Sequence, residues 1–136
     1  MAYEPVDSQT AQSLEDAAAQ CRRAMQTAGI HPTDEPLGTV VNLEHLIASY
    51  PEGHVPNENS VFQFVALLGE TVRAAYGGQW VTADVGSGPE FGVVTDGPHG
   101  EVFWNLTGKL RRRLQRAGHQ DSLTFYWKTI SEQMAQ

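Results

Sequence analysis

Cysteine is almost missing from this chain. Cys21 is the only one in 136 residues, so no internal disulfide can form, and a reducing cytoplasm is the simplest compartment. No apolar run approaches the roughly 20 residues that a membrane-spanning helix needs. The opening Met-Ala-Tyr-Glu-Pro-Val-Asp has no basic region followed by an apolar core, so no signal peptide is expected. There is no C-x-x-C, and no two of the five histidines stand four residues apart, so no helix-borne zinc site is expected and no metal is assigned. A G-x-S-x-G nucleophile motif is also lacking, since Val85-Gly86-Ser87-Gly88-Pro89 matches only part of it. That glycine-rich stretch leads into a strand and lacks a P-loop lysine, so it reads as a hairpin turn. With no cofactor motif in view, no cofactor is expected.

Positive charge is scarce over most of the length. Residues 1–106 carry three arginines against fourteen aspartates and glutamates, for −11. Residues 107–136 reverse the balance, with six Lys and Arg against Asp121 and Glu132, for +4. The net charge is −7. Either the basic segment lies on an acidic body and partly neutralises it, or the two ends address partners of opposite charge. Hydrophobic residues at 40% and charged residues at 18% describe a globular chain, and its length suits one domain over 1–136 with a real core. Residues 1–6 are read as a loose N-terminal arm.

The stretch Asn57–Trp80 organises the rest. Val61, Val65, Leu68, Val72 and Tyr76 fall on one helical face. Phe62, Phe64 and Leu67 widen that face until only a narrow stripe stays polar, at Gln63, Ala66, Glu70, Arg73 and Gly77. Such a helix is buried from several sides. Asn57, Asn59 or Ser60 can cap its start, and Gly77 or Gly78 can end it. Gly69 inside it implies close approach of a neighbouring backbone, because the helix gives up as much as about 1 kcal/mol to hold a glycine there.

Leu67-Leu68-Gly69-Glu70 followed by Tyr76-Gly77-Gly78-Gln79-Trp80 resembles a pattern in small bacterial domains of unknown function. In these an L-G-E helix leads into a G-G-x-W strand, and a short sheet and C-terminal helical segment follow. The resemblance covers about the last 80 residues. It implies no catalytic residue, and it tilts the functional expectation towards protein binding of the immunity or accessory kind.

Around this centre the sequence predicts a first helix from a cap at Asp7 or Ser8 to about Ala28, with Leu14, Ala18, Cys21 and Met25 inward. A loop follows over 30–38, then a short helix over Val41–Tyr50, with a strand as the competing reading. After Gly78 the period becomes two. Strands are expected at Gln79–Asp84, with Trp80 inward, at Glu90–Thr95 and at Glu101–Asn105, joined by turns at Val85–Pro89 and Asp96–Gly100. Leu106, Leu110 and Leu114 restore helical spacing, and a final helix, capped by Asp121 or Ser122, buries Leu123, Tyr126, Trp127, Ile130 and Met134. The expected fold is α+β: a three-stranded antiparallel meander against the long central helix, with further helices towards both termini.

Three constellations could carry function. Glu70 is a carboxylate on a mostly buried helix, which must be paired, hydrogen-bonded or shifted in pKa. With the loop histidines His54 and His99 it makes the weak catalytic candidate, while pairing with Arg73 is the favoured reading. Arg111, Arg112, Arg113 and Arg116 form a basic helix face that could bind anions, although a pI of about 5.1 argues against a dedicated nucleic-acid binder. Phe125 lies about 200° around the last helix from Leu123 and has no obvious core role, which suits an interface or a homodimer contact. Cys21, with no histidine near it in sequence, reads as a buried small hydrophobe. The expectation is a non-enzymatic cytoplasmic bacterial protein that binds a protein partner or itself. An enzyme around Glu70, or an anion or nucleic-acid binder on helix 109–116, are the alternatives; no membrane role is expected.

Overall fold

The computed structural model describes residues 3–50, 56–84, 89–115 and 122–135. The elements run β1 (Tyr3–Pro5), α1 (Ser8–Thr27), α2 (Pro36–Ala48), α3 (Glu58–Tyr76), β2 (Gln79–Asp84), β3 (Pro89–Gly97), β4 (Gly100–Trp104), α4 (Leu106–Gln115) and α5 (Leu123–Ala135). The class is α+β, as expected. The sheet has four strands in the order β1-β2-β3-β4, all antiparallel.

The additional strand corrects the loose arm. Tyr3, Glu4 and Pro5 pair with Ala83, Thr82 and Val81 of β2. A three-residue strand is too short to show a period, and Pro5 is tolerated because β1 lies at the sheet edge. The Tyr3 hydroxyl donates to Glu101 Oε1 at 2.8 Å, and its ring stacks on Phe103 of β4 at 5.6 Å. The N-terminal strand therefore reaches across the sheet to the opposite edge strand.

Local chemistry sets the helix ends. Asp7 caps α1 by accepting from the Thr10 amide at 2.7 Å, and Asn57 caps α3 by accepting from Ser60 N–H at 2.8 Å. α2 begins at Pro36, five residues before the expected start, and the competing strand is absent there. Proline fits the first turn because its missing N–H would have no partner there. Gly77 and Gly78 have φ of +74° and +113°, so they end α3 in a conformation that other residues adopt only with strain. That turn feeds β2 directly.

The core lies between the sheet and α3. Trp80, Val93 and Trp104 are register partners across three strands, and all three are buried. α1 runs along the other side of α3, with Ala17 and Ala18 among its buried residues. Ala66, assigned to the polar stripe by the helical wheel, is therefore fully buried. α2 and α5 pack on each other, and α4 packs on α3 and β3. The β3–β4 hairpin is tighter than the expected Asp96–Gly100 turn, since Gly97 already pairs with Gly100. Where β4 has ended, Thr107 of α4 takes over. Its Oγ1 accepts from Phe91 N–H and donates to Phe91 C=O, both at 3.0 Å. Without it these strand groups would face the core unpaired.

Candidate functional site

Glu70 is built into a clamp between α3 and β2. Gly69 leaves the helix surface bare, and the Trp80 indole lies against it. A Cβ at Gly69 would stand 2.0 Å from Trp80 Cη2. The indole N–H donates to Glu70 Oε2 at 2.7 Å. Arg73 Nη1 donates to the same oxygen at 2.7 Å, and Arg73 Nε reaches Gly78 C=O at 3.3 Å. Glu70 thus ties down the tryptophan, and Arg73, which pairs with it, holds the glycine turn. The residues that carry the L-G-E and G-G-x-W pattern all have packing work: Gly69 gives space, Glu70 accepts, the glycines turn the chain, and Trp80 fills the core at 2% exposure.

No histidine joins this clamp among the described residues. His99 is exposed in the turn between β3 and β4, without a hydrogen bond to Glu70. His54 lies outside the described residues. No group of three or more His, Cys, Asp or Glu able to hold a metal is present among the described residues. Burial pushes the Cys21 thiol up to about 12, which keeps it protonated and inert at neutral pH.

The four arginines of the basic segment separate. Arg111 and Arg112 are exposed. Arg113 is not, which corrects its expected place on an anion-binding helix face. Its Nε and Nη2 each lie 2.6 Å from Glu44 Oε2 on α2. Glu44 Oε1 also accepts from Leu123 N–H, the first amide of α5, at 2.7 Å. Arg116 lies outside the described residues. Sequence reasoning missed Glu44. The signal was a lone carboxylate among Leu43, Leu46 and Ile47, a position that demands a partner.

Around α4 and α5 the charge is close to aromatic surface. Lys109 is buried, with Nζ 5.3 Å from the centroid of the Tyr126 ring. Burial pushes the Tyr126 hydroxyl well above its ordinary range, and the nearby Arg112 charge opposes that shift. Next to it in the chain, Phe125 is 39% exposed. Leu37 on α2, at 51%, is the other large apolar side chain exposed among the described residues. Glu90 is a further residue the sequence did not single out. It is 7% exposed, and its Oε2 has no hydrogen-bond partner among the described residues. It shares a register row with Ala83 and Tyr3, so the strand that sequence analysis left as an arm covers that face.

A shallow cavity of about 120 Å³ opens between α3, β3 and α4. Val61, Phe62, Val65 and Phe91 form its apolar surface, with Phe62 and Phe91 edge to face at 5.7 Å. Glu58 and Arg111 stand at it with opposite charges, beside Thr107. Its volume falls well short of the roughly 300–1,000 Å³ of small-molecule sites.

No protein family, curated protein or solved structure matches this chain.

Proposed function

We propose that the chain is a non-enzymatic bacterial protein of the cytoplasm that binds another protein, in the manner of a partner, immunity or accessory factor. The observation that carries this reading is the exposure of Phe125 on α5, alongside exposed Arg111 and Arg112 on α4. Other polar groups that resembled a site have internal partners: Glu70 with Trp80 and Arg73, Arg113 with Glu44. Exposed aromatics and arginines are the residues that dominate binding energy at protein interfaces. The reading also accords with the resemblance to small bacterial domains. No helix among the described residues is long and apolar enough to cross a membrane, so a partner in solution is the simpler choice.

The test is affinity capture on the immobilised full chain, with mass spectrometry of what is retained. Wild type and Phe125→Ser are run side by side, with sedimentation of each alone. A protein retained by wild type and lost by the variant supports the reading, as does a wild-type dimer that Phe125→Ser converts to monomer. Equal retention by both, with both monomeric, refutes the assignment of Phe125 to the interface.

A further inference from the structure

We infer that the cavity between α3, β3 and α4 receives one aliphatic side chain from an acidic segment of a protein partner. This rests on the protein-binding reading and gives it a specific docking point apart from Phe125.

Volume decides the kind of occupant. Water occupies about 30 Å³ per molecule in the liquid, so about 120 Å³ corresponds to some four heavy atoms. That is a leucine, isoleucine or valine side chain, and it is too small for a nucleotide or an indole. The apolar surface from Val61, Phe62, Val65 and Phe91 gives such a group a place away from water. Its burial would favour association.

Charge decides what flanks it. Glu58 occupies the first turn of α3, where the positive end of the helix dipole offsets its charge. Arg111 has no such compensation: the ion pairs among the described residues are Arg73 with Glu70 and Arg113 with Glu44. Arg112 is exposed one residue on. A segment that inserts an aliphatic side chain therefore meets a guanidinium at the rim, and a carboxylate beside the anchor can pair with it in bidentate geometry. A basic segment would meet Arg111 in repulsion.

The experiment titrates three terminally blocked peptides, Asp-Leu-Asp, Asp-Ser-Asp and Lys-Leu-Lys, into the isotope-labelled full chain and follows backbone amide shifts. Asp-Leu-Asp is expected to move the amides of Val61, Phe62 and Phe91 with a Kd on the order of 10 mM, and each control to bind at least about tenfold more weakly. Arg111→Glu, a change at an exposed position, should reverse the preference towards Lys-Leu-Lys while leaving the melting temperature unchanged. Val61→Phe, which fills the cavity, should abolish the Asp-Leu-Asp shifts. Should that variant fail to fold, the Arg111→Glu result decides alone. Absence of shifts at the three amides, equal shifts from all peptides, or indifference to Arg111→Glu would overturn the inference. A partner captured through Phe125 that leaves these amides unmoved would overturn it too, while the protein-binding reading stood.

Discussion

Gly69 and Trp80 are one packing unit, and the helix accepts a poor helix former to make it. Gly69→Ala would gain up to about 1 kcal/mol of helix propensity. The new Cβ would, however, overlap the indole ring, and overpacking of this kind costs about 1–3 kcal/mol. The expected outcome is a net loss of stability in urea titration and a changed tryptophan fluorescence. A stabilised variant would mean that the indole does not lie on that helix surface. A second residue-scale expectation concerns alkaline pH. Burial pushes the Cys21 thiol up from 9.0 to about 12, so in that window the unfolded thiol ionises while the folded one keeps its proton. The unfolded state then binds fewer protons, and stability must fall as pH rises. Its stabilising contribution is fully present below pH 9 and fades towards pH 12, with a limiting slope of about 1.4 kcal/mol per pH unit. Cys21→Ala should flatten this part of the profile, read as urea midpoint against pH, whereas an unchanged profile would assign it to other groups.

Between elements, Glu44 is the clearest link. From α2 it holds Arg113 of α4 and the first amide of α5. Glu44→Ala should cost about 1.5–3 kcal/mol, the range for hydrogen bonds to charged groups, and should speed hydrogen exchange at the Leu123 amide above that of the rest of α5. Uniform exchange along α5 would deny Glu44 its capping role. The helices and β2 to β4 were legible because their apolar periods run long enough to register, as from Val61 to Tyr76. β1 was not, because three residues carry no period and its pairing is settled by β2 and by Tyr3 reaching Phe103. The start of α2 was hidden by reading Pro36 as loop punctuation, when proline also suits the first helical turn. Ala66 was misplaced because alanine fits either a polar stripe or a close helix contact, and α1 selects the second.

At the scale of the whole molecule, the charge asymmetry is partly internal. Arg113 neutralises Glu44, and Lys109 is buried over Tyr126, while Arg111 and Arg112 stay at the surface. The sequence located the basic segment but could not divide it, because sorting adjacent arginines needs the acidic groups that other elements bring to them. Phe125 was legible from helical geometry alone, as the aromatic left off the buried stripe. The cavity was not, since its surface comes from α3, β3 and α4 together. The central claim is that the chain binds a protein through Phe125 on α5, apart from this cavity. Its most direct measurement is the affinity of the captured partner, or of the self-association, for wild type and for Phe125→Ser, with thermal melting of both. The account expects a loss of about 2 kcal/mol, roughly thirtyfold in Kd, at an unchanged melting temperature. A sharply lowered melting temperature with unchanged affinity would place Phe125 in the core and contradict the claim.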